Sequence, residues 1–186
     1  MLYRAQLPSA LQTIAPTLLR SLGRGEAFEP FPGFTAQVQG ESLHAPYRVY
    51  YDEQNLRQCI KKACGPTQWL ALCLGCCHAN GHMREACLRE LLQTESACNE
   101  DWVVPFIVRL SSDYVHQMAE LLVQHISRLN PQSYGRFAAE NPEFITLRKQ
   151  QVASYWDCYH RAQHPLLRQH PGIRFLRWIE QARSEL

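Results

Sequence analysis

Five residues in one short run, Cys73, Cys76, Cys77, His78 and His82, are of types that bind metal or exchange thiols. Cys-x-x-Cys followed by histidines holds zinc when the side chains converge tetrahedrally. The surroundings argue for a different role. The three cysteines fall at i, i+3 and i+4 of an almost wholly apolar run from Trp69 to Cys77. No second Cys-x-x-Cys is present, and structural zinc sites usually draw ligand pairs from two segments. The expectation is therefore a packed thiol core with no cofactor, and zinc is the alternative. Haem attachment fails by one position, because the histidine after Cys77 would need a cysteine where Leu74 stands. A redox pair wants an exposed helix start, and these thiols lie deep in an apolar run.

A second set, His116, Glu120 and His125, shares one polar helix face, with His78 and His82 at the preceding turn. A histidine beside a carboxylate can do acid–base work, but without a nucleophile motif or a phosphate-cradling glycine loop a solvated face is the preferred reading. The chain is therefore read as non-enzymatic. A third set, Arg84, Arg109, Tyr114, His116 and Trp178, lies at inter-helix turns and on the basic terminal helix, and is the candidate binding surface. Arg84 has an equal claim to a structural role, bonded to a turn.

The elements that must position these residues are mostly helical. Residues 68–129 read as two helical hairpins about thirty-two residues apart, a solenoid-like repeat length. In the first, an apolar inner helix leads through Ala79-Asn80-Gly81 to a helix with Met83, Ala86, Cys87 and Leu91 on one face. In the second, Asp101 is expected to cap a helix beginning Trp102 to Pro105, and Ser112-Asp113 to turn into a helix with Val115, Met118, Ala119, Leu122, Ile126 and Leu129 on one stripe. Upstream, residues 2–22 read as a helix interrupted by Pro16, residues 24–33 as a loop pinned by Phe28 and Phe31, and residues 34–51 as a β-hairpin turning at Gly40-Glu41. Asp52 caps a helix that Gly65-Pro66 is expected to end. Downstream, residues 131–135 read as loop. Asn141-Pro142-Glu143 starts a helix stopped by His164-Pro165, and Pro171-Gly172 precedes a last helix.

Asn80-Gly81-His82-Met83-Arg84-Glu85-Ala86-Cys87-Leu88 is similar to the turn and second-helix signature of HEAT-like repeats. His116 stands where Arg84 stands in the second copy, so the Asp–Arg ladder of such stacks is not reproduced there. With Tyr47-Arg48-Val49-Tyr50-Tyr51 ahead of the hairpins, the middle of the chain also resembles a group of uncharacterised bacterial proteins. The resemblance implies a fold, a HEAT-like stack of α-α hairpins with a small N-terminal β-hairpin, and no activity.

Composition bounds the rest. With 186 residues, 46% hydrophobic and 19% charged, the chain is long enough for one globular helical domain over 1–186. A formal charge of +2 does not by itself argue for nucleic acid or an anionic membrane. Prolines 8 and 16 interrupt any secretory-type apolar run, and no stretch reaches the ~18 apolar residues of a membrane span. A cytoplasmic bacterial protein is expected, and of its eight cysteines Cys59, Cys64, Cys73, Cys76 and Cys77, on or near helices, are read as small core residues rather than disulfides. The resulting expectation is a non-catalytic interaction or scaffold module for an unidentified protein partner. A nucleic-acid-binding or repair module is the first alternative, with Arg84, Arg109, Arg128 and Arg174 to be gathered on one face. A zinc-binding module or metal-dependent enzyme is the second.

Overall fold

The computed structural model describes residues 7–23, 26–27 and 33–186, and the expected Phe28 and Phe31 contacts lie outside the described residues. The chain is mainly α-helical, with two small antiparallel strand pairs among the described residues, and it divides into two compact units, residues 1–97 and 98–186. The boundary falls between the two hairpins expected to stack as successive repeats, so each belongs to a separate unit.

The N-terminal unit begins with α1 (Ser9–Gln12) and α2 (Ala15–Leu22). Pro16 starts α2 instead of kinking one longer helix, because the first helical amides need no intrahelical partner. Strands β2 (Phe34–Val38) and β3 (Glu41–Ala45) form the expected hairpin, and Phe34, Ala36, Val38, Leu43 and Ala45 are its buried residues. Its turn sits one residue earlier than expected, on Gln39 (φ 52) and Gly40 (φ 78), the left-handed pair that a tight two-residue hairpin requires. The return strand ends at Ala45. Val49–Tyr50 is a separate strand, β4, which pairs with β1 (Glu26–Ala27). The Val49 amide also donates to the Cys77 carbonyl at 3.0 Å, and the Ala79 amide to the Val49 carbonyl at 3.0 Å.

Asp52 caps α3 (Glu53–Lys62), its Oδ1 accepting from the Asn55 amide at 2.8 Å. Gly65-Pro66, expected as a stop, instead opens α4 (Gly65–Cys76). Every α4 residue from Leu70 to Cys76 is buried, as the absence of a polar face required. Asn80 caps α5 (Gly81–Gln93) by accepting from the His82 amide at 2.9 Å. The two helices approach closely at Gly75, where a Cβ would stand 2.3 Å from Cys87 Sγ. α6 (Glu95–Cys98) lies at the junction of the units.

The C-terminal unit contains α7 (Val104–Arg109), a 3-10 turn at Leu110–Ser112, α8 (His116–Gln124), α9 (Pro131–Glu140), α10 (Pro142–Tyr155), a π-helical turn at Trp156–His160, and α11 (Pro171–Ser184). Asp101 does not cap α7. Val103 holds the cap position, and Asp101 lies 3.5 Å from Arg136. The stripe expected to reach Leu129 breaks at His125, and a 3-10 turn follows at Ile126–Arg128. Residues 131–135, expected as loop, begin α9. Asn130 caps it by accepting from the Gln132 amide at 3.0 Å, with Pro131 at the first helical position. Asn141 gives α10 no side-chain cap, since its amide donates instead to the Phe137 carbonyl at 2.9 Å. Phe175, Leu176, Ile179 and Ala182 bury the inner face of α11, as expected.

Gly75→Ala is expected to lower stability by about 1–3 kcal/mol through overpacking. Because the obstacle is a side chain, Cys87→Ala should recover part of the loss in the double variant. Urea unfolding of the four proteins measures that coupling.

Candidate metal centre

Four histidines converge in the C-terminal unit. His116 is the first residue of α8, His160 ends the π-helical turn, His164 lies one helical turn beyond it, and His170 is the N-cap of α11. The π turn carries the polypeptide past the end of α10, and such insertions are frequent at functional sites. The segment is then tied back on itself. The His164 amide donates to the His160 carbonyl at 2.9 Å, and Trp156 Nε1 donates to the His164 carbonyl at 2.7 Å. Arg161 lies over the Trp156 ring, 4.9 Å from its centre.

The remaining two histidines are placed by the start of α11. Gly172 packs so closely on the Leu110–Ser112 turn that a Cβ there would stand 2.4 Å from the Ser111 carbonyl oxygen. His170 accepts from the Gly172 amide through Nδ1 at 3.1 Å. This fixes the ring's orientation, and in the neutral ring it leaves the proton on Nε2.

The imidazole of His116 stacks on that of His160, with centres 4.5 Å apart, and lies 5.1 Å from both His164 and His170. One ring nitrogen each from His116, His160 and His170 lies within 4.8 Å of the others, and this is the one such group of potential metal ligands among the described residues. Three buried nitrogens there have no hydrogen-bond partner: His116 Nδ1, His160 Nδ1 and His170 Nε2. His116 Nε2 is 3.2 Å from His164 Nε2 and 3.5 Å from Glu120 Oε1. A carboxylate can only accept, so it favours the proton on His116 Nε2 and the lone pair on Nδ1.

Burial first, and then the neighbouring rings, favour the neutral forms of His170 and His116. His170 is pushed down to about 4 by desolvation and by His116, His160 and His164. His116 is lowered by desolvation, His160 and His164, against an upward pull from Glu120. Neutral imidazoles retain the lone pairs that a metal takes. A tetrahedral site with metal–nitrogen bonds of about 2.0–2.1 Å needs nitrogens about 3.3 Å apart. The present group is somewhat more open, and His116 and His160 fit as lone-pair donors. His170 fits less directly, because Nε2, its one nitrogen without a protein partner, carries the proton.

The residues expected to form sites lie elsewhere or play other parts. Arg84 and Arg109 are corrected from candidate surface to interior, at 0% and 2% exposure. Arg84 Nη1 donates to the carbonyls of His78 at 2.9 Å and Ala79 at 2.8 Å, so this arginine ties down the α4–α5 turn. Neither arginine presents its charge to a phosphate backbone. Tyr114 is exposed. Trp178 is half-buried, with ring centres 5.4 Å from Tyr134 and 5.9 Å from Phe175. It packs where α9 meets α11. His116 belongs to the cluster, but His125 does not, since its Nδ1 meets the Leu121 carbonyl at 2.8 Å.

Cys73, Cys76 and Cys77 are fully buried. Burial, followed by the charges of neighbouring Cys77 and Cys87, holds the Cys73 thiol well above its ordinary range. His78 is a satisfied core histidine, with Nε2 2.9 Å from the Tyr51 carbonyl and Nδ1 accepting from the Asn80 amide at 3.0 Å. His82 is exposed, in the first turn of α5.

His160, His164 and His170 escaped the sequence reading. The available signal was His160-x-x-x-His164, a spacing that places two histidines on one helix face. The chain matches no protein-family model, and neither a curated protein nor a solved structure matches it.

The depressed histidines set a pH dependence. Above about 6.5, His170 is neutral folded or unfolded and contributes nothing to the slope. Below that value the unfolded chain binds a proton that the folded ring refuses until about pH 4. Stability should therefore fall as pH drops from about 6.5 to 4. His170→Asn, which preserves an N-cap, should flatten part of that slope in urea midpoints measured across the range.

Proposed function

We propose that the C-terminal unit is a binding module for a divalent transition metal, held by lone pairs of His116 and His160 with His164 and His170 beside it. The observation that carries this reading is the convergence of histidines from three separate segments, with buried ring nitrogens that have no partner within the protein. A buried polar atom without a hydrogen bond is costly, so the arrangement calls for something to occupy it. Imidazole donors suit zinc, copper and nickel better than calcium or magnesium, which prefer oxygen. Glu120 beside His116 is the carboxylate–histidine pairing that orients metal ligands and raises their basicity. The zinc alternative thus moves from the cysteine run to the histidines.

The interaction-module reading keeps one specific support. Exposed Tyr114, Tyr159 and Leu166 are sequence neighbours of His116, His160 and His164, so the metal-binding surface also offers apolar side chains to a protein partner.

Calorimetric titration with zinc is expected to show one equivalent bound per chain. His116→Ala and His160→Ala should each weaken binding by at least about tenfold, while a Cys73→Ser/Cys77→Ser protein should bind as the parent does. Absence of binding, or binding indifferent to His160, would contradict the proposal.

A further inference from the structure

We infer that the metal in this centre carries a phosphate-class oxyanion, bridged to the imidazole N–H of His170. The inference rests on the metal reading above and concerns the positions that His116 and His160 leave open.

Three independent features point to an anion. First, His170 is 5% exposed, and its Nε2 is buried without a partner. Nδ1 is committed as acceptor to the Gly172 amide, so in the neutral ring the unpartnered Nε2 carries a hydrogen rather than a lone pair. An N–H facing a bound cation is repelled, whereas an N–H facing a metal-bound oxygen is satisfied. Second, the donor set is neutral throughout, so a divalent ion keeps its full charge. Glu120 supplies one negative charge, from a half-exposed side chain on the outer edge of His116. Third, the centre lies at the N-terminus of α11, capped by His170 itself, whereas at the start of α8 the Asp113 carboxylate already accepts from the Val115 amide at 3.1 Å. Aligned peptide dipoles favour negative charge at the α11 end.

A phosphate-class anion has several oxygens, one for the metal and another for the His170 N–H, and carries more negative charge than a carboxylate. His116, His160 and His164 are each only partly buried, which leaves the open coordination positions accessible to a ligand from solution.

Cobalt(II), whose visible spectrum reports its coordination, is the probe. The full chain is titrated with cobalt(II) in chloride, acetate, inorganic phosphate and methyl phosphate buffers at equal ionic strength. Phosphate or methyl phosphate should change the spectrum of the cobalt-loaded protein and tighten apparent cobalt affinity by about tenfold, the size of an ordinary coupling between ligands. The ratio of the two effects tells a free phosphate from a phosphorylated ligand. In His170→Asn, which keeps the cap but removes the Nε2 N–H, that enhancement should disappear. An unchanged spectrum in phosphate, an equal effect of acetate, or the same enhancement in His170→Asn would overturn the inference while leaving the metal site standing. A parent protein that takes up no cobalt in chloride would overturn the metal reading and this inference together.

Discussion

The contact on which the histidine centre depends is the seat of Gly172 against the Ser111 carbonyl oxygen. No side chain larger than hydrogen fits between them, since a Cβ would stand at 2.4 Å. That contact holds the first turn of α11 against the turn that leads into α8. It therefore fixes His170, which caps one helix, relative to His116, which begins the other. The same first turn of α11 supplies the amide that claims His170 Nδ1. One local packing requirement thus sets the position, the orientation and the tautomer of the most buried ring in the cluster.

The electrostatics follow from that placement. Neighbouring imidazoles and burial both disfavour the charged form of a ring in this cluster's interior. His116 and His170 are both depressed for these reasons. On the proposed reading, His116 and His160 offer lone pairs to a metal and His170 offers a hydrogen-bond donor. The N-terminal unit shows the opposite use of the same residue type. His78 spends both nitrogens on backbone partners, and Arg84 spends its charge on the carbonyls that close the turn. Those polar groups are satisfied within the fold and are left with nothing to bind.

Much of the fold was legible because local signals and burial agreed. The polar-free run of α4, the Asp52 cap, the alternation in β2 and the inner face of α11 all appear as the sequence implied. Errors arose where one signal has two meanings. Gly65-Pro66 ends helices in many chains but starts one here, and Asn130-Pro131 is the same start pattern as Asn141-Pro142 yet lay in a stretch read as loop. The strand pair β1 with β4 was missed because two-residue strands carry no period. The candidate site was mostly illegible. Its histidines are spread along the chain from 116 to 170, and only tertiary packing brings them together. The clustered cysteines caught the eye because they are neighbours in sequence, but a buried helix is where small apolar thiols belong.

X-ray absorption at the zinc edge, recorded on protein loaded with one equivalent of zinc and freed of excess metal, tests the central claim most directly. The account predicts a nitrogen and oxygen shell at about 2.0 Å with the outer-shell scattering of imidazole rings. Sulfur scattering at about 2.3 Å, or zinc that washes away with the excess, would contradict it.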